Sequence, residues 1–357
     1  MLAFHPLKVK ARTEVAEDAV CITFELPEQI RPQYRFEAGQ HIAVRLPADE
    51  GDARRTYSIV CPVGSPDLSI GVRRQTGGKV STYLAERLQV GQTIDVLTPN
   101  GSFHTKIEPQ RRKHYAVLAA GSGITPVLSI VASVLAGEPR SQFLLFYGNR
   151  TTASTMFIEE VLALKNRYPT RLAVHFLMSR EPQDIELFNG RLDRVKLRQL
   201  AGRFFTVQGI DEYFVCGPGS MVEEITTTLR ELGASGRIHS ELFTTVAKPA
   251  PQLAGAQHVA GTLSTTQVAV TMDGRRRSFS MPRDGGESVL DAAARAGIDL
   301  PYSCAAGVCS TCRSRVVKGN VRMEHNLALE DWEVEAGYVL CCQARPLTAE
   351  LELNYDE

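Results

Sequence analysis

Three cysteines near the end of the chain, Cys304, Cys309 and Cys312, stand at C-x4-C-x2-C, and a later segment, Gly337-Tyr-Val-Leu-Cys-Cys342-Gln, offers a fourth thiol. Thiolates at this spacing suit a [2Fe-2S] cluster. Two irons and two sulfides are wider than a single ion, so the first three ligands must come from a loop that wraps around them. Ala305, Ala306 and Gly307 keep that loop's backbone close to the sulfides. A structural zinc site would want two short-spaced pairs, and only Cys309 and Cys312 form one. A disulfide framework fits poorly with eight cysteines scattered through 357 residues that show no secretion signal. On a strand, adjacent side chains point to opposite faces, so only one of Cys341 and Cys342 can reach the irons.

Other short stretches carry chemistry of a different kind. Arg55-Thr-Tyr57-Ser58 places a cation and an aromatic ring on one strand face and a hydroxyl on the other. In Gly77-Gly78-Lys-Val-Ser81-Thr82, paired glycines lead into a Ser/Thr cap and a helix, whose free N-H groups attract phosphate oxygens. Gly121-Ser-Gly123-Ile-Thr125-Pro126 follows the apolar run Tyr115-Ala-Val-Leu-Ala-Ala120, with Thr125 as a cap and Pro126 opening a helix. It lacks the third glycine of the Rossmann fingerprint. Asn149-Arg150 and Ser179-Arg180 end two later strands, where arginine supplies a bidentate fork for a nucleotide 2′-phosphate. No acidic residue closes the first of these strands, as a ribose-binding carboxylate would.

The elements that must position these residues divide into three patterns. Short β-rich runs such as Cys21–Leu26, His41–Leu46, Thr56–Val60, Leu68–Val72 and Thr93–Leu97 are punctuated by glycine and proline, which predicts an antiparallel barrel over residues 1–110. From 111 to 246 strands alternate with helices, including one over 155–167 and one over 219–232, which predicts a parallel α/β domain. Residues 247–264, rich in proline, alanine and glycine, break all periodicity and read as a linker. Residues 265–357 contain two strands joined by Asp273-Gly274, a helix over 287–296, the cysteine loop and late strands. Acidic Glu330, Asp331, Glu333 and Glu335 precede the last cysteines, as a docking face or a solvated helix.

Balanced charge, with 40 basic and 40 acidic residues, argues against nucleic acid or anionic membrane as a partner. Residues 115–137 carry no charge, yet the Gly121–Pro126 break splits them into a strand and a helix rather than a membrane span. An N-terminus without an apolar signal region leads to the expectation of a cytoplasmic protein.

Asp299-Leu-Pro-Tyr-Ser-Cys304 and Tyr-Val-Leu-Cys-Cys342-Gln-Ala-Arg-Pro346 resemble plant-type ferredoxins, which implies a β-grasp fold and picks Cys342 as the fourth ligand. The preceding motifs resemble the ferredoxin-NADP reductase superfamily, which implies a Greek-key flavin barrel before the nucleotide domain. By that resemblance Arg55 neutralises the flavin pyrophosphate, Tyr57 packs on the isoalloxazine and Ser58 bonds near flavin N5, while Gly78, Ser81 and Thr82 bind phosphate. Gly121, Gly123, Thr125 and Pro126 hold the pyridine nucleotide pyrophosphate. The loop at Cys216-Gly217-Pro-Gly219 places its cysteine near the nicotinamide. Superfamily members that use NADPH carry a pair like Ser179-Arg180, with Arg150 nearby. In similar endings to Ser240-Glu241-Leu-Phe243, a carboxylate and a ring lie against the flavin. Glu241 then positions nicotinamide or relays protons, and Phe243 covers the ring.

A hydride carries two electrons and a [2Fe-2S] cluster accepts one, so a flavin must convert between them. The modules imply an oxidoreductase that uses NADPH, FAD and a [2Fe-2S] cluster to feed an oxygenase. Their order resembles reductase subunits of phenylacetyl-CoA ring-epoxidising complexes, which implies a carboxylate-bridged di-iron oxygenase as acceptor. An NADH- and FMN-dependent reductase of a Rieske dioxygenase is the alternative, and a non-catalytic electron carrier or redox sensor is a third reading.

Overall fold

The computed structural model describes residues 2–50, 53–244, 265–283 and 286–356. Two compact units divide the chain, Ala3–Thr244 and, together with the first two residues, Thr245–Glu357. The linker expected over 247–264 lies outside the described residues.

In the first unit, β1 (Phe4–Ala16), β2 (Ala19–Glu25), β3 (His41–Arg45), β4 (Arg54–Ser58), β5 (Leu68–Arg73) and β6 (Thr93–Leu97) form an antiparallel sheet in the order β4-β3-β6-β1-β2-β5. Its two edges meet, since Ile59 bridges Ile70 and the Val60 N-H donates to the Ser69 carbonyl at 2.9 Å. A closed Greek-key barrel results. Alternate residues fill it, among them Leu7, Val9, Ile22, Phe24, Ile42, Val44, Ile70 and Val96. Helix α1 is a single turn, Lys79–Thr82, followed by a wider turn over Tyr83–Arg87. Its N-cap is Gly78 rather than Ser81 or Thr82, and the Ser81 hydroxyl instead donates to the Gly78 carbonyl at 3.1 Å and accepts the Gln75 N-H at 3.1 Å.

Five parallel strands follow, β7 (His114–Ala120), β8 (Gln142–Asn149), β9 (Leu172–Met178), β10 (Glu212–Pro218) and β11 (Arg237–Thr244), in the order β11-β10-β7-β8-β9. Helices α2 (Ile124–Gly137), α3 (Ile158–Arg167), α4 (Arg194–Leu200) and α5 (Gly219–Glu231) connect them. Strand order reverses between β7 and β10, which opens a crevice at their carboxyl ends. Thr125 does not cap α2. Gly123 does, and the Thr125 hydroxyl donates to the Ser122 carbonyl at 3.0 Å. Helix α3 starts three residues later than expected. Phe157 takes a left-handed conformation with φ 57, and its N-H donates to the Val15 carbonyl on β1 at 3.2 Å. Barrel contacts thus override local helix preference.

The barrel and the parallel sheet share an apolar cluster in which Ala38, Val60 and Phe103 pack with Ile130, Val134 and Phe214. Rings of Phe103 and Phe214 meet edge to face at 5.6 Å. Hydrogen bonds add to this packing, from the Ser129 hydroxyl to the Cys61 carbonyl at 2.8 Å and from the Val63 N-H to the Ser133 hydroxyl at 2.9 Å.

In the second unit, β12 (Thr265–Met272) and β13 (Arg275–Pro282) turn at Asp273 and Gly274, both with positive φ, as a two-residue hairpin requires. With β14 (Arg313–Lys318), β16 (Tyr338–Leu340) and β18 (Glu350–Asn354) they make a sheet in the order β13-β12-β18-β14-β16, where β12 and β18 run parallel. Strands β15 (Val321–Met323) and β17 (Ala344–Pro346) pair separately. Helix α6 (Val289–Arg295) begins at Ser288, which accepts the Asp291 N-H, and buries Leu290 and Ala293 in the core. This is a β-grasp arrangement. The acidic run forms α7 (Asp331–Glu335), where Glu330 and Glu333 make a capping box and buried Glu333 pairs with Arg313 at 2.9 Å.

A charged cluster clamps the amino ends of the parallel strands. Glu212 on β10 accepts from Lys113 and, at 3.1 Å, from His239. Burial pushes its pKa up, but hydrogen bonds and charge from these partners hold it at about 2 against the ordinary 4.5. A folded-state pKa below the unfolded one adds stability above the unfolded value and loses it as pH falls through the folded value. Glu212→Gln is therefore expected to cost roughly 1–3 kcal/mol at neutral pH. In urea titrations its deficit should shrink as pH is lowered from 4.5 toward 2.

Candidate active site

The crevice between β7 and β10 opens into a cleft of about 510 Å³. Its floor is Gly121, Ser122, Gly217 and Pro218, and its sides include Arg150, Ser179, Arg191 and Phe243. The floor depends on close backbone approach. A side chain at Gly123 would lie 2.1 Å from the Cys216 carbonyl, so only glycine lets the two loops meet. Gly121 has φ +54, and its carbonyl accepts from the buried Tyr147 hydroxyl at 2.9 Å. Pro126 is buried one turn into α2, behind the floor.

The barrel contributes Arg73 and Gln75 to one wall. Arg73 donates to the Ser154 carbonyl at 2.5 Å, which fixes its guanidinium at the junction of the two folds. Sequence reasoning missed Arg73 and Arg191. Arg73 lies on an otherwise ordinary barrel strand. Arg191 reaches the cleft through a long-range pairing, in which Met178 bridges Asn189 in parallel and the Gly190 N-H donates to the Met178 carbonyl at 2.8 Å. The local trace of that turn is Gly190, with φ +101. Arg191 thereby lines the same cleft as Ser179. Arg180, though exposed like Arg191, does not line the cleft; its N-H donates to the Arg150 carbonyl at 2.9 Å.

Across from the β11 edge lies the start of β3. His41 pairs with Ser58, Ile42 with Tyr57 and Val44 with Arg55. Ser58 therefore shares a face with His41, and Tyr57 packs half-buried against the barrel core. Arg55 is exposed and donates to the Arg54 carbonyl at 2.7 Å. Cys216 and Glu241 are register partners on parallel β10 and β11, and their side chains come within 4.0 Å. Glu241 Oε1 also lies 3.7 Å from His41 Nδ1. Burial, and then the Glu241 charge, push the Cys216 thiol well above its ordinary pKa, so it is neutral near pH 7. Thus His41 stands between its strand partner Ser58 and the Glu241–Cys216 pair, with Phe243 two residues beyond Glu241 at the cleft.

In the second unit the four sequence-predicted cysteines come together as two pairs. Cys309 hydrogen-bonds Cys304, and Cys342 hydrogen-bonds Cys312. Backbone N-H groups point at the same sulfurs, from Ala306 to Cys304 Sγ at 3.3 Å and from Cys342 to Cys312 Sγ at 3.5 Å. Ala305, Gly307 and Ser310 all have positive φ, which turns the loop around its own thiols. Two thiol pairs fit a [2Fe-2S] cluster, one pair to each iron, with N-H donors to the sulfurs. Among the described residues no three such side chains converge as one metal ion would need.

The adjacent cysteines part as expected, though by a different device. They lie in a turn closed by the Gln343 N-H on the Leu340 carbonyl at 2.8 Å, just past β16, and not on a strand. Cys342 faces Cys312, while the fully buried Cys341 Sγ sits 3.0 Å from the Ser314 hydroxyl. Burial pushes the Cys341 pKa to about 11, so it is a neutral thiol.

Residues 6–105 match the oxidoreductase FAD-binding domain, 117–227 the oxidoreductase NAD-binding domain and 270–347 the 2Fe-2S iron-sulfur cluster binding domain. Over its whole length the chain is 41% identical to a subunit of the 1,2-phenylacetyl-CoA epoxidase of Escherichia coli (strain K12), covering 99% of that protein. The chain belongs to the ferredoxin-NADP reductase superfamily, in the branch with a C-terminal plant-type [2Fe-2S] ferredoxin domain. A 3-ketosteroid-9-alpha-monooxygenase ferredoxin reductase component from Rhodococcus rhodochrous is 33% identical over 98% of this chain and 96% of its own. Among solved structures, phthalate dioxygenase reductase shares the fold, with a TM-score of 0.59 at 24% identity over 99% of this chain and 98% of that one.

Membership in this superfamily makes the protein an oxidoreductase with flavin, pyridine nucleotide and iron-sulfur modules. No helix among the described residues is long and apolar enough to cross a membrane. Cys342→Ser is expected to abolish the low-temperature paramagnetic signal of the reduced cluster, whereas Cys341→Ser should retain it. A lost signal in Cys341→Ser with a normal one in Cys342→Ser would reverse the ligand assignment.

Proposed function

We propose that the protein takes a hydride from NADPH and passes its electrons singly, through FAD and a [2Fe-2S] cluster, to a di-iron oxygenase acting on phenylacetyl-CoA. The observation that carries this reading is the chain of neighbours from Ser58 through its strand partner His41 to Glu241 and Cys216, beside the cleft that Gly217 and Phe243 line. Bound flavin would supply the exchange between two-electron and one-electron chemistry. The chain's own part is to bind, orient and exclude water. Ser58 and Tyr57 would hold the flavin ring, with Arg55, Gly78, Ser81 and Thr82 at its phosphates. Phe243 would cover the ring until nicotinamide displaces it. Cys216, as a neutral thiol, adds no charge where a hydride crosses. Similarity over the full length to the phenylacetyl-CoA epoxidase protein of Escherichia coli supports the partner.

NADPH is favoured by the cations at the far end of the cleft. Arg150, Ser179 and Arg191 line it, and the strand β8 ends in Asn149-Arg150 with no carboxylate for an unphosphorylated ribose. Arg191, which lines the cleft with Ser179 and has no partner among the described residues, is the better placed fork for a 2′-phosphate, while Arg180 stands outside it.

The partner is tested anaerobically by reducing the protein with NADPH, mixing it with di-iron oxygenase loaded with phenylacetyl-CoA, and following cluster reoxidation by visible absorbance. Fast reoxidation, then epoxide on admitting oxygen, is expected; reoxidation by ferricyanide alone removes the partner and keeps the reductase. Charge-assisted hydrogen bonds contribute about 1.5–3 kcal/mol. Arg191→Ala should therefore raise the KM for NADPH about tenfold or more relative to that for NADH, and Arg180→Ala considerably less. Equal effects on the two nucleotides would remove Arg191 from the 2′-phosphate site.

A further inference from the structure

Tyr147 lies beneath the nucleotide cleft and lines no part of it. It is fully buried in the apolar cluster that also holds Met156 and Phe157, where burial pushes its pKa up and the hydroxyl keeps its proton. That one proton is shared by two carbonyls, Gly121 at 2.9 Å and Met156 at 3.1 Å. Gly121 belongs to the cleft floor, and its carbonyl also accepts the Ile124 N-H. Met156 precedes Phe157, whose N-H donates to the Val15 carbonyl on β1 at 3.2 Å. The hydroxyl therefore joins the floor to a segment anchored on the barrel.

Lack of space does not explain Gly121. A side chain there would meet nothing within 4 Å, so glycine serves for its backbone, with φ +54. Glycine populates several backbone regions at similar cost, so the peptide that follows it is not held by its own sterics. In a trans peptide the C=O and N-H point in opposite directions. With the Gly121 carbonyl drawn inward by the buried Tyr147 hydroxyl, the Ser122 N-H points outward, on the side where Gly121 and Ser122 line the cleft. The reverse orientation would present a carbonyl oxygen to a bound anion.

We propose that Tyr147 is a positioning residue for the pyridine nucleotide, whose hydroxyl holds the Gly121-Ser122 peptide with its N-H toward the pyrophosphate. The inference rests on the reading of this cleft as the nucleotide site. No covalent bond changes in this role. The phenol acts through the backbone alone, and because NADPH and NADH share the pyrophosphate, it affects both alike. That separates it from Arg191, whose charge would bear on the 2′-phosphate.

The test uses the holoprotein with verified FAD and cluster content. Glycine labelled at its carbonyl carbon, together with nitrogen-labelled serine, marks Gly-Ser peptides for NMR, and the signal missing from Ser122→Ala identifies this one. In wild type the Ser122 N-H should shift on saturation with NADP+; an unmoved signal overturns the proposal whether or not any variant folds. Tyr147→Phe keeps the ring and removes the hydroxyl, and stopped-flow then follows flavin reduction. The saturation constants for NADPH and NADH should both rise about tenfold, with their ratio and the limiting rate changed less than about threefold. A lower melting temperature with unchanged constants makes the contact structural only and overturns the proposal, as does a rise for NADPH alone. If neither nucleotide reduces the wild-type flavin or shifts any cleft amide, the nucleotide reading fails and the proposal with it. Nucleotides that serve wild type and Tyr147→Phe equally remove Tyr147 alone.

Discussion

The contact that organises the catalytic unit is the approach of the Gly121–Gly123 turn to the Cys216–Gly217 backbone. Two parallel strands whose helices leave toward opposite faces must diverge there, and the crevice exists only if both loops stay bare of side chains. With Gly123 against the Cys216 carbonyl, the two loops meet main chain to main chain. Cys216, set by the same strand, carries Glu241 beside it by register. The floor of the cleft and the Cys216–Glu241 pair therefore depend on one backbone contact.

That crevice would be incomplete without the barrel. Arg73 reaches the cleft from β5, and beside it His41 on β3, paired with Ser58 on β4, faces Glu241 on β11. Gly71 shows how close this packing is, since a side chain there would lie 2.6 Å from Thr125 and 2.7 Å from the Phe157 ring. Phe157 accepts a left-handed backbone to fill that space. A side-chain group built across such a junction is held by two cores at once, which suits a site where sub-ångström shifts change hydride distance.

Much of this was legible in the chain because the chemistry is local. The cysteines expected to hold a cluster lie within nine residues plus one, and a loop of that length must turn on itself. The barrel and parallel sheet followed from turn spacing and strand-helix alternation. Strand β1 was less visible, because Lys8, Lys10, Arg12 and Glu14 alternate with few apolar residues and only Leu7 and Val9 are fully buried. The caps of α1 and α2 were misread for a related reason. Ser81 and Thr125 are cap-forming types, but each hydroxyl bonds a carbonyl three residues back, inside the first turn, while a glycine occupies the cap.

Residues that escaped sequence reasoning share one property, which is that pairing across distant segments defines them. Arg191 is eleven residues from Arg180, and nothing local distinguishes the two cations; a single parallel bridge at Met178 and Asn189 brings one into the cleft and leaves the other outside. His41 is likewise an ordinary strand residue until Ser58 and Glu241 are brought to it. For Cys341 and Cys342 the strand argument does not apply, because a turn separates the side chains. The turn leaves Cys341 as a neutral thiol sealed in the core, where solvent cannot reach it and a thiolate is disfavoured. Burial thus selects between two chemically identical neighbours, one free to pair with Cys312 and the other bound to Ser314.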